Sequence, residues 1–112
     1  MQDLNTHISA GWAAHRSGNN QDALRHFESA LAVDNESIDA YYGIGLAKRD
    51  LGQLNEATAA FEQSLQLTRS KIEMSYPSNN TNAVEVPDID RYTMLIRMIG
   101  QRLSEIKLLT KV

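Results

Sequence analysis

The chain has 112 residues, 42% apolar and 22% charged, with two Pro, six Gly and no Cys, a composition that suits one globular domain and leaves little core for an enzyme pocket as well. Eleven Lys+Arg against fourteen Asp+Glu give a formal net charge of -3, so the chain has no overall basic footprint for nucleic acid, and without Cys there is no disulfide frame, zinc knuckle or thiol nucleophile. The opening Met1-Gln2-Asp3-Leu4-Asn5 is neither basic nor followed by an apolar run, and no run approaches the roughly 18 residues of a membrane span; the expectation is a cytoplasmic protein with no membrane partner.

Apolar and small residues recur at helical spacing on either side of punctuating glycines, which predicts helices over 3–17, 20–33, 37–51 and from Asn55 onward. Gly18 and Gly52 stand where a left-handed C-terminal cap is wanted. Sliding the sequence by 34 positions lays residues 4–37 on 38–71. Gly11 then matches Gly45, Ala13 Ala47, Gly18 Gly52, Ala23 Ala57, Phe27 Phe61, Glu28 Glu62 and Leu31 Leu65. Unrelated sequence would give about two such identities. The small residues Gly11, Ala23, Gly45 and Ala57 inside helices imply close helix-helix contact, with Phe27 and Phe61 filling the space beside them.

A large residue with a small glycine four on, a glycine at the turn and then Ala-x3-Phe-x2-small-Leu, repeated at 34 residues, resembles the tetratricopeptide repeat. The resemblance covers residues 4–71 as two units. His7 stands where the first unit would carry an aromatic residue, Ala14 and Lys48 occupy a later aromatic position, and Asn35 and Arg69 replace the proline that closes a repeat. With no proline after Thr68, the stripe Ala57, Phe61, Leu65, Thr68, Ile72 continues, so the fourth helix is expected to be overlong and to end at Tyr76-Pro77. A polar loop is expected over 77–87.

From Asp88, a plausible N-cap, Ile89, Tyr92, Ile96, Ile99, Leu103 and Ile106 are spaced by three and four, forming a heptad-like seam over an amphipathic helix at 88–112. Residues 89–112 hold five Lys+Arg and two Asp+Glu, whereas residues 1–88 hold six and twelve, so a basic tail follows an acidic body. Two readings stand: the helix caps the open end of its own array, or Tyr92, Ile96, Ile99, Leu103 and Ile106 pair with another copy in a homodimer. It also echoes the first helix of a third repeat, with Tyr92 and Leu95 in the places of Tyr41 and Ile44 and Ile96 in that of the glycine.

The fold class expected is therefore all-α, a helix-turn-helix repeat array of about five helices. The resemblance implies a non-catalytic scaffold that binds a protein or peptide partner on the concave face lined by the first helix of each repeat. There, Ile8 and Trp12 recur as Tyr42 and Leu46, with Arg16 and Arg49 at the rim. These six residues are the candidate groove, unless the C-terminal helix covers them. A subset of the family grips C-terminal carboxylates with Lys and Asn side chains, but Ile8, Trp12 and Gly43 occupy those places here. His7, His15 and His26 lack metal-pair spacing, Gly43-Ile44-Gly45 lacks the strand and third glycine of a phosphate loop, and no serine sits in a nucleophile setting. No catalytic residue, metal or cofactor is expected.

Overall fold

The computed structural model describes residues 3–75 and 89–110, which form five helices: α1 Leu4–Arg16, α2 Asn20–Val33, α3 Ile38–Asp50, α4 Leu54–Ser75 and α5 Ile89–Thr110. The expected 77–87 loop and the Asp88 cap lie outside the described residues. Each helix packs on the next in sequence, and α1 also touches α3, as in an array where first helices run parallel and second helices lie between them.

Local chemistry sets the boundaries. Asp3, Asn19 and Ser37 accept from the backbone N–H of Thr6, Asp22 and Ala40 at the starts of α1, α2 and α3, satisfying donors that an initial turn leaves unpaired. The Thr6 N–H bond, joined by the Thr6 hydroxyl, holds the Asp3 carboxyl below its usual range. Both repeats turn by the same device: Gly18 and Gly52 take φ of 79° and 81°. Their N–H groups donate to His15 and Arg49, and the next residues, Asn19 and Gln53, donate back to Ala14 and Lys48. This is the paired bonding of a Schellman cap, for which a residue without Cβ is favoured.

The repeats interlock through aromatic rings seated on glycines. A Cβ at Gly11 would come within 2.6 Å of the Phe27 ring, and one at Gly43 within 2.4 Å, so Phe27 is clamped between the first helices of both repeats. Phe61 repeats half of this, at 2.5 Å from a Cβ at Gly45. Ala23, Ala57 and both phenylalanines are wholly buried. Gly43 thus has a packing role that the 34-residue comparison does not show, because its counterpart in the first repeat is Ser9, which is exposed.

With no proline to stop it, α4 continues to Ser75. Along it Ser64 and Thr68 are fully buried, with the Thr68 hydroxyl donating to the Ser64 carbonyl at 2.8 Å. This extended face receives α5. Arg91 near the start of α5 bonds Asp39 near the start of α3 at 3.3 Å, and Arg49 and Glu105 approach to 3.7 Å at the other ends. Hence α5 runs parallel to α3, in the direction of a third first helix. Within the described residues, no helix is long and apolar enough to cross a membrane.

Candidate functional site

The concave face is built on α1 and α3. Trp12 stands at its centre, half-buried, with its ring 5.0 Å from Phe27 in a T-shaped contact and 6.4 Å from Tyr42; Tyr42 in turn lies 5.6 Å from Phe61. This chain of rings ties the two repeats together through edge and tilted contacts of the kind aromatic pairs favour. Ile8, one turn before Trp12, is half-buried against the cluster of Leu24 and Phe27. Arg16, one turn after, is exposed and makes no ion pair among the described residues. These three residues present the open part of the face.

The second-repeat part is occupied. Tyr42 and Leu46 are each only 8% exposed, in one cluster with Phe61 of α4 and Ile99 and Ile106 of α5. Burial pushes the Tyr42 phenol above its ordinary value, an effect reduced by Arg102 and Arg49 and increased by Glu105. Arg49 is drawn toward Asp50 at 3.2 Å and Glu105 at 3.7 Å. Sequence spacing places these three residues in one groove with Ile8 and Trp12; in the chain itself, α5 lies over that half, because its seam needs cover and α3 and α4 supply it.

The same contacts redefine the seam residues. Ile99 and Ile106, at 0% and 3% exposure, and Leu103 beside them pack within the chain, and Tyr92 and Ile96 are half-buried. Little of that seam is open to another copy. The apolar surface that α5 does expose is a different one, with Met94 61%, Leu108 72% and Leu109 60% exposed.

Charged pairs across the first helices follow the repeat. His15 of α1 lies 3.3 Å from Asp50 of α3, in contact but without hydrogen-bond alignment, and 34 residues on, Arg49 of α3 approaches Glu105 of α5. His15 is thereby held inside the fold, edge-on to Trp12.

Among the described residues, no group of His, Cys, Asp or Glu could hold a metal ion. A comparison with protein families matches residues 14–73, more than half of the chain, to the family described as Tetratricopeptide repeat. No curated protein matches the chain significantly. Repeats of this family in general mediate protein-protein interaction on a non-catalytic scaffold.

Proposed function

Since the chain belongs to the tetratricopeptide repeat family, we propose that it is a non-catalytic scaffold of the cytoplasm that binds a peptide or protein partner on its concave face. The observation that carries this reading is the first-repeat stretch of that face, where half-buried Trp12 and Ile8 adjoin an exposed Arg16 that makes no ion pair among the described residues. A partly buried tryptophan beside an arginine has the composition of an interaction hot spot. The fitting ligand is a peptide with an apolar anchor followed by an acidic residue. Tyr42, Leu46 and Arg49 support the site from beneath: the first two hold Trp12 and α5 in place, and Arg49 links α3 to α5.

The reading is tested by displaying a random peptide library against the full chain. Selected peptides should share an apolar residue near an acidic one and bind Arg16→Glu about tenfold or more weakly, since a charge-assisted contact contributes on the order of 1.5–3 kcal/mol. Equal binding to both proteins would reject the site. A second reading, self-association through α5, is favoured by the exposure of Met94, Leu108 and Leu109 and predicts a dimer in solution.

A further inference from the structure

Trp12, the one tryptophan of the chain, is bounded by three rings. Phe27, 5.0 Å away, is wholly buried and wedged between Gly11 and Gly43, and Tyr42, 6.4 Å away, is buried in one cluster with Ile99 and Ile106 of α5. Close packing fixes both. His15 is held differently. It lies three residues beyond Trp12 in the last turn of α1, on the neighbouring part of the helix surface, and sets its imidazole at 88° to the indole with the centroids 6.1 Å apart. Its side chain is 22% exposed, so packing alone leaves it another rotamer. What pins it comes from the other repeat. Asp50, at the end of α3, places one carboxylate oxygen 3.3 Å from the buried His15 Nε2, and its other oxygen accepts from Arg49 Nε at 3.3 Å, which holds the carboxylate itself in place.

We propose that His15, pinned by Asp50, is a positioning residue for Trp12: it fixes the tilt of the indole and hence the apolar surface that the concave face offers a ligand. This extends the reading of that face as a binding site and rests on it. Phe27 and Tyr42 bound the indole from the core, and the imidazole bounds it toward the end of α1 in the edge-on arrangement that aromatic pairs favour. An indole held in one orientation before a ligand arrives spares that ligand the cost of ordering it. Asp50 has no ring to set against Trp12 and acts on it through His15. The site is thus a product of both repeats, since α1 supplies the indole and the imidazole and α3 the carboxylate.

The test reads Trp12 directly in the full chain without a ligand, through its emission maximum and its quenching by acrylamide. His15→Ala should move the emission to longer wavelength and increase the quenching. Asp50→Ala should do the same, and should add nothing in a chain that already carries His15→Ala, because both changes remove one support. Asp50→Asn, which keeps an oxygen for the imidazole, should stay near the unmodified emission. Circular dichroism accompanies each variant, and His15→Gln, which also removes the ring, replaces His15→Ala in the cycle if that variant loses helicity. Lowered stability with the emission of the folded chain unmoved would mean that the pair only joins α1 to α3, and would overturn the proposal. An Asp50→Ala shift of equal size in both backgrounds would overturn it too. Peptides selected on the unmodified chain should bind the variant that lacks the ring about two- to tenfold more weakly, and equal affinity would count against the proposal. A library that yields no binder would instead reject the reading of the face, while the emission cycle still decides the positioning of Trp12.

Discussion

At the residue scale, the fold depends on places where a side chain must be absent. Gly43 and Gly100 both lie inside helices, yet their substitution should have opposite signs. Alanine at Gly43 gains about 1 kcal/mol of helix propensity but drives a Cβ to 2.4 Å from a Phe27 ring already held by Gly11. Overpacking of that kind costs about 1–3 kcal/mol, and a ring clamped from two sides cannot swing clear, so the overlap wins. Gly43→Ala should lower the urea midpoint, whereas Gly100→Ala, with nothing within 4 Å, should raise it by an amount corresponding to about 0.5–1 kcal/mol. Matching signs for the two would contradict the placement of Phe27.

Tyr42 gives the same scale a pH signature. Its phenol is raised above its ordinary value chiefly by burial, so the folded state holds the proton more firmly than the unfolded one. The contribution is present in full below the unfolded value of about 10 and is lost as pH rises through the higher folded value. Alkaline unfolding should therefore steepen above about pH 10, and Tyr42→Phe should flatten that part of the curve. An unchanged slope would place the hydroxyl in solvent.

At the scale of elements, α1 to α4 were legible in the sequence because each boundary is a local device. Gly18 and Gly52 needed only their left-handed conformation, and Asp3 and Ser37 only a turn of unpaired N–H groups. The sequence has no proline between Thr68 and Tyr76, and α4 runs to Ser75, the last described residue before the expected end at Tyr76-Pro77. Placing α5 was another matter. Its seam announced a helix needing cover, but whether α3 and α4 or another chain supplied it depends on contacts from residues 39 and 49 to residues 91 and 105, and no local pattern encodes those. For the same reason, Ile8 and Trp12 were readable as a surface stripe, while the burial of Tyr42 and Leu46 was not. The orientation of α5 can be checked directly. Ile99→Ala, at a fully buried site, should cost about 2–5 kcal/mol, whereas Met94→Ala, at a largely exposed one, should fall within about 0.5 kcal/mol of zero. The reverse ranking in denaturant titrations would mean that α5 presents its other face to the core.

At the scale of the molecule, two repeats are few for a structure whose units bury apolar surface mainly on their neighbours. The extended α4 and the returning α5 supply the missing neighbour. They cover Phe61, Tyr42 and Leu46 with Ile99 and Ile106, and the ion pairs from α3 fix the direction of the cover. One basic residue of α5 meets the acidic body directly, Arg91 on Asp39. What stays open is the Trp12 stretch of the concave face and the groove between α4 and α5 lined by Glu62 and Leu103.

The central claim is that α5 completes the core of its own chain, and the solution mass measured by size exclusion with light scattering over a range of concentrations tests it most directly. The account predicts a constant mass near 12.5 kDa. A mass of about twice that, persisting on dilution into the range where obligate dimers hold together and also in a Leu108→Glu, Leu109→Glu variant that charges the exposed face of α5, would mean that another chain supplies the cover and would contradict it.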